Sequence, residues 1–158
     1  MQVRPAEIAD ADAAIDVIRR SIQQLCELDH NNDPATLSMW LGNKTADNMR
    51  RWIADHTVFV AVEGERIAGV ASVRADGHVL LNYVAPEARF RGASKRLMQA
   101  IEAWGASRGH QWLTLDSSAT ALRFYRSVGW AVAGPPQPGF GVTMQYPMRK
   151  AVTAPSVD

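Results

Sequence analysis

Four cations, Arg89, Arg91, Lys95 and Arg96, stand around a single glycine, Gly92, where an apolar strand gives way to a helix. The run from His78 to Val84 is apolar and aromatic, and Pro86 stops it, having no N–H for a ladder and holding its predecessor extended. Beyond the glycine, Leu97, Met98, Ile101, Trp104 and Gly105 fall on one helical face. The first turn of such a helix leaves backbone N–H groups unpaired at the positive end of its dipole, and the residues there, Ala93 and Ser94, are small. That corner attracts phosphate. A basic turn with one glycine is equally the pattern of an ordinary surface turn with solvated arginines. It is not a nucleoside-triphosphate P-loop, which needs a glycine directly before the lysine and a hydroxyl residue after it; Lys95 sits between Ser94 and Arg96.

The rest of the composition narrows what binds there. A chain of 158 residues, 47% hydrophobic and 21% charged, is long enough for one domain with its own core. Its formal net charge of +1 argues against a non-specific nucleic-acid binder, so the local cluster asks for a small anionic ligand. Cys26 is the one cysteine, which excludes an internal disulfide, and its helical position reads as core rather than nucleophile. No apolar run reaches about 18 residues, and no basic segment leads into an apolar run at the start. Neither membrane nor export is indicated, and a cytoplasmic location is expected.

The elements that must position this corner follow from periodicity. Gln2–Pro5 is a short edge strand. Asp10 is suited to cap a helix carrying Ile15, Ile18, Ile22, Leu25 and Cys26 to about Leu28. Asp33-Pro34 opens a second helix with Leu37, Trp40 and Leu41, ended by Gly42, and Thr45 caps a third with Met49, Trp52 and Ile53. From Thr57 the period changes to two, with strands at 57–62 and 67–73, and Asp76-Gly77 is a hairpin turn into the 78–84 strand. After the 92–108 helix come a strand at 112–115, a helix from Ala119 to about Ser127, a strand at 130–133, a stiff loop at 134–139 and a last strand at 141–146. This order predicts a single α/β domain over 1–150, with a mixed, mostly antiparallel sheet of about seven strands and helices on both faces. A parallel crossover joins the 78–84 and 112–115 strands, and a cleft where they splay is the natural ligand site. Residues 151–158 carry no pattern and read as a disordered tail.

Val84-Ala85-Pro86 followed by Arg89-Phe90-Arg91-Gly92-Ala93-Ser94 resembles motif A of the GCN5-related N-acetyltransferase superfamily. There the strand ends in Val-x-Pro, and Arg/Gln-x-x-Gly-x-Gly/Ala wraps the pyrophosphate of acetyl-CoA. Ser94 departs from the usual Gly or Ala. The stretch Ser118 to Trp130 is similar to motif B, Asn-x-x-Ala-x-x-Phe-Tyr and then Gly-Phe/Trp, with Ser118 in the place of Asn. The likeness covers about residues 57 to 148, and the helical N-terminal third only in outline.

The resemblance implies a sheet split between its fourth and fifth strands, with acetyl-CoA as cosubstrate and no metal. Its contacts would come from Val84, Arg89, Phe90, Arg91, Gly92, Ala93, Ser94, Lys95, Ser118 and Tyr125, with the pantetheine arm along the edge of the 78–84 strand. An amine attacks the thioester directly, a backbone N–H near Val84 or Ala85 faces the developing oxyanion, and Tyr125 is the general acid for the leaving thiolate. His78, which titrates in the useful range and shares a strand face with Asn82, is one choice of base; Asp116, Glu87 and a water relay are others. For the acceptor, Glu27, Asp29 and Asp33 could attract a cationic amine and Trp40 and Trp52 could pack on it, or these residues are helix caps and core. The implied function is acetyl transfer to a primary amine of a small molecule or amino-acid-like acceptor. The alternative is a non-catalytic acyl-CoA-binding module of the same fold. A basic-patch nucleic-acid or protein binder is a third reading, and a homodimer is possible.

Overall fold

Alternation along the strands builds the first sheet of the computed structural model, which describes residues 1–153. Strands β1 (Gln2–Pro5), β2 (Thr57–Glu63), β3 (Arg66–Val73) and β4 (Val79–Val84) pair in that order, all antiparallel. Val58, Val60, Ala68 and Val70 are buried on one face, and Ala61, Ala71 and Val73 on the other, as a period of two requires. Helices α1 (Ala11–Leu25), α2 (Glu27–His30), α3 (Pro34–Leu41) and α4 (Ala46–Asp55) occupy the chain between β1 and β2. From them Ala14, Ile18, Ile22, Trp40 and Met49 join the first face's core. Helix α5 (Ala93–Ser107) brings Leu97, Met98 and Ile101 to the second. It lies close because β3 carries Gly69, where a Cβ would stand 2.9 Å from Leu97 Cδ1 and 3.2 Å from the Tyr83 carbonyl oxygen.

The capping expectations divide. Asp33 accepts from Thr36 N at 3.0 Å and Thr45 Oγ1 from Asn48 N at 3.2 Å, each closing its helix as predicted. Asp10 does not cap α1; its carboxylate takes Arg4 at 2.8 and 3.0 Å and the Glu7 N–H at 2.7 Å. Helix α1 stops at Leu25 rather than near Leu28, and the chain restarts as the short α2.

The second sheet contains β5 (Trp112–Ser117), β6 (Ala131–Val132) and β8 (Met144–Ala151), with β8 in the middle; β7 (Gln137–Pro138) pairs with the start of β8. Helix α6 (Leu122–Ser127) lies between β5 and β6 in the chain. Among the described residues the eight strands exceed the expected seven by β7, a two-residue pairing inside the proline-rich loop. The last strand also runs later than predicted. Ala151 pairs with Trp112, and buried Val152 donates its N–H to the Gln111 carbonyl at 2.9 Å, so the core claims residues that composition placed in a tail. Residues 154–158 of that expected tail lie outside the described residues.

Among the described residues one parallel bridge links the sheets, His78 to Thr114, with the Thr114 N–H donating to the Gly77 carbonyl at 3.1 Å. Past that bridge β4 and β5 part. The register of β4 slips at Leu80, since Val79 faces Val73 while Leu81 faces Ser72. A bulge of this kind breaks the strict alternation expected for His78, Leu80, Asn82 and Val84. Among the described residues no helix is long and apolar enough to cross a membrane.

Candidate active site

A cavity of about 290 Å³ opens where β4 and β5 part, and His78, Asn82, Asp116, Ser118 and Tyr125 all line it. Helix α6 presents Tyr125, whose ring meets Trp130 edge-on at 5.9 Å and 64°. Its hydroxyl accepts a hydrogen bond from Asn82 Nδ2 at 3.0 Å and donates to no protein acceptor among the described residues. Burial pushes the phenol up to about 12, against the opposing pull of the Asn82 bond. Tyr83, accepting from Trp40 Nε1 at 3.1 Å, is raised further for the same reason.

His78 Nδ1 lies 2.7 Å from Thr114 Oγ1, and Nε2 lies 3.5 Å from Asp116 Oδ2. Two of the sequence's base candidates therefore sit together on the cavity wall. Glu87 does not join them. It is paired with Arg20 at 2.7 and 3.2 Å, which holds its carboxyl below the ordinary range, and it does not line the cavity. Cys26 is buried and its thiol is pushed up to about 12 by desolvation, which suits a core residue and not a nucleophile.

The expected phosphate corner lies past the cavity, whose lining along β4 ends at Tyr83. The N–H groups of residues 90 to 95 donate to no protein acceptor among the described residues, and the first bond of the turn runs from Arg96 N to the Gly92 carbonyl at 3.1 Å. Phe90 and Gly92 hold left-handed backbone, φ 65° and 83°, and Phe90 is 90% exposed. A bulky residue in that region stores strain of about 1–2 kcal/mol. The cations are partly engaged: Arg91 pairs with Glu63 at 2.8 Å, Arg96 donates to the Met1 carbonyl at 2.7 Å, and Arg89 stacks on Phe90 at 4.5 Å. Of the two amides expected near an oxyanion, Ala85 N–H is taken by the Ala68 carbonyl at 2.8 Å. Successive N–H groups of a strand point to opposite sides, so Val84 N–H faces away from β3. This edge of β4, beyond the His78 bridge, has no strand partner among the described residues.

Ser118 Oγ accepts from Ala121 N at 3.1 Å and shapes the turn before α6. Asp29, buried at the cavity wall, accepts from Ala119 N at 2.6 Å, Thr120 N at 3.2 Å and the Thr120 hydroxyl. It fixes that turn rather than attracting an amine. Asp33 caps α3 and Glu27 accepts from Asn32 Nδ2 at 3.0 Å, so all three acids have internal partners. Trp40 does line the cavity, stacked on Phe140 at 6.4 Å and 22°. Trp52 lines a second space of about 210 Å³ beside it. Lys44, which sequence reasoning missed, lines both. It sits in a polar loop between two helices, where a lysine gives no signal of burial. Among the described residues no group of three His, Cys, Asp or Glu side chains is placed to hold a metal ion.

Comparison with solved structures finds the same architecture. A GCN5-related N-acetyltransferase from Rhodopseudomonas palustris superposes with a TM-score of 0.86 at 21% identity, covering 96% of this chain and 95% of that one. The PaiA N-acetyltransferase from Thermoplasma acidophilum, solved with coenzyme A, gives 0.78 at 18% identity over 95% and 98% of the two chains. YncA from Salmonella typhimurium, solved with acetyl-CoA, gives 0.74 at 20% identity over 100% and 97%. No curated protein sequence matches significantly. The family model described as "Acetyltransferase (GNAT) domain" matches residues 30–152, well over half of the chain, and the chain belongs to that family.

Proposed function

We propose that this protein is an acetyl-CoA-dependent N-acetyltransferase that acetylates the primary amine of a small or amino-acid-like acceptor by direct attack. The observation that carries this reading is Tyr125, a buried hydroxyl in the wall of the split, with Asn82 donating to its oxygen and its own proton free. The bare N–H groups of residues 90–95 at the start of α5 fit a diphosphate, and two structural neighbours hold coenzyme A or acetyl-CoA. Acetyl-CoA supplies an activated acyl carbonyl and a thiolate leaving group.

The remaining work falls to this chain's residues. The free amides and Lys95 hold the diphosphate, and the open edge of β4 offers backbone partners to an amide-bearing arm. Val84 N–H faces the oxygen on which negative charge develops. Asn82 Oδ1, buried without a donor, accepts an N–H of the incoming amine, and the His78–Asp116 pair receives its proton. Tyr125 returns a proton to the thiolate. Against a thiol at its bulk value, a phenol at about 12 would be roughly 5 kcal/mol too weak an acid. The thiolate, however, forms beside the same buried phenol, and burial raises thiols as it raises phenols. Cys26, also pushed up to about 12, illustrates that rise within this chain.

Purified protein with acetyl-CoA and a panel of amines tests the reading, with thiol release and product mass as readouts. Thermal stabilisation by coenzyme A without acetylation of any amine would favour a non-catalytic acyl-CoA-binding module. No stabilisation by coenzyme A would overturn both.

A further inference from the structure

We infer that the acceptor carries a carboxylate besides its amine, and that Lys44 Nζ is the group that holds it; this deepens, and rests on, the acetyl-transfer reading above. Lys44 is 5% exposed, and the two neighbouring spaces, about 290 and 210 Å³, share it together with Leu80 and Leu81. Among the described residues it is the only Lys or Arg lining either. Its ammonium donates to the Trp40 carbonyl at 3.2 Å and to Asn43 Oδ1 at 2.6 Å, which leaves one of three donors unused. Both partners are neutral, and no carboxylate among the described residues pairs with it. Burial alone drives its ammonium down to about 8. A buried cation with no counter-ion costs several kcal/mol unless something supplies the charge.

The loop is built to hold it there. Arg19 donates to both the Leu41 carbonyl at 2.9 Å and the Lys44 carbonyl at 3.0 Å, Asn48 Nδ2 donates to the Asn43 carbonyl at 2.8 Å, and Thr45 caps α4. The backbone of Lys44 is thus clamped from the outside while its side chain enters the wall. Phe140 lies 5.9 Å from the ammonium, and the first space carries apolar Trp40, Leu81 and Met144 in its lining together with the carboxylates of Asp29 and Asp116, the first taken up by residues 119–120 and the second beside His78. A single buried cation without a counter-ion matches a monoanion. A phosphate group, carrying more charge, calls for more than one cation. The cavity that holds Lys44 also holds Tyr125 and the His78–Asp116 pair, so one small molecule can present its amine to that pair and its carboxylate to Lys44.

The test compares α- and ω-amino acids with their primary amides, using wild-type protein, Lys44→Met and Lys44→Gln. Each amine is assayed for acetylation with acetyl-CoA and for thermal stabilisation in the presence of coenzyme A. Wild type should prefer at least one amino acid over its amide by on the order of 10- to 100-fold in kcat/KM, mostly through KM. Both variants should bring that ratio near one while keeping coenzyme A binding. Acetylation of amides as readily as acids, or a preference unchanged in the variants, overturns the inference and leaves acetyl transfer standing. Stabilisation by amino acids but not amides, lost in the variants and without turnover of any amine, upholds the anion site and overturns the acetyl-transfer reading instead. The absence of both turnover and acid-specific stabilisation overturns the inference; if both variants misfold, a wild-type preference for acids over amides upholds the carboxylate and the lack of one overturns it.

Discussion

Tyr125→Phe removes one oxygen and leaves a ring that still packs edge-on against Trp130 at 5.9 Å and Phe124 at 5.3 Å. The stability loss is therefore that of a single hydrogen bond, the one from Asn82 Nδ2 at 3.0 Å. That is about 1 kcal/mol, or a fall in Tm of about 3 °C for a chain of this size. The kinetic loss is larger, because a positioned general acid contributes about 10²- to 10⁴-fold. Steady-state thiol release should show kcat reduced on the order of 100-fold with the KM for acetyl-CoA unchanged. Since burial holds the phenol near 12, Tyr125 is fully protonated from pH 6 to 10, and the variant's pH–rate profile should be lower throughout but of the same shape. Linkage gives a separate check. The folded phenol titrates above the unfolded one at 10.0, so the native state keeps its proton where the unfolded state loses it. Stability associated with Tyr125 is complete below pH 10 and falls as pH rises through 12, and the Phe variant should lack that alkaline loss. A kcat within about twofold of wild type would refute the acid assignment. A rate loss confined to pH above 9 would refute the protonation argument.

Three further outcomes follow from other contacts. Lys44→Met should raise unfolding free energy at pH 7 by on the order of 2 kcal/mol in denaturant titrations; because the folded ammonium is lowered from 10.5 to about 8, the penalty it removes is full below pH 8, fades as pH rises from 8 to 10.5 and is gone above that. Asp29→Asn should destabilise by about 3 kcal/mol in the same assay and raise KM for the acceptor, since a carboxylate that takes Ala119 N, Thr120 N and the Thr120 hydroxyl is replaced by a group with one acceptor and a repelling NH₂. Gly69→Ala should cost about 1–3 kcal/mol and weaken coenzyme A binding measured by calorimetry, because a Cβ 2.9 Å from Leu97 Cδ1 displaces the start of α5 from the sheet.

Local chemistry made much of this legible. Asp33-Pro34 and Thr45 announce helix starts whatever surrounds them, and Gly77 at φ 89° takes the turn that Asp76-Gly77 promised. The motif residues Tyr125 and Ser118 line one cavity with His78 and Asn82, which the sequence placed on one strand face. What was not legible depends on partners far along the chain. Asp10 would cap α1 in isolation, but Arg4 offers a stronger, charged partner. Asp29 and Lys44 look solvated in sequence, and only tertiary packing sets the first against residues 119–120 and the second against a cavity. The β4 bulge at Leu80 is invisible for the same reason, since register belongs to a pair of strands and not to one.

The split itself needs a physical cause, because two adjacent strand edges with free N–H and C=O groups would ordinarily zip together. The bridge at His78 and Thr114 shows that β4 and β5 have the right direction and register to begin. Two struts stop the pairing from spreading. The Asn82–Tyr125 bond ties β4 to α6 across the gap, and the Asp29 bonds tie α2 to the turn that follows β5. The Asp29 bonds fix the turn 118–121, which cannot move toward β4 without breaking them, and the Tyr125 ring occupies α6's side of the gap. The unpaired edge is thereby kept open rather than left open, and the residue that holds it, Tyr125, is the same one placed to donate a proton into the space it preserves. Loss of Tyr125 hydroxyl chemistry and loss of the gap are separable for that reason: Phe at this position retains the ring that fills α6's side of the split, whereas a small residue such as Ala would remove the strut's support as well and should lose coenzyme A affinity along with rate.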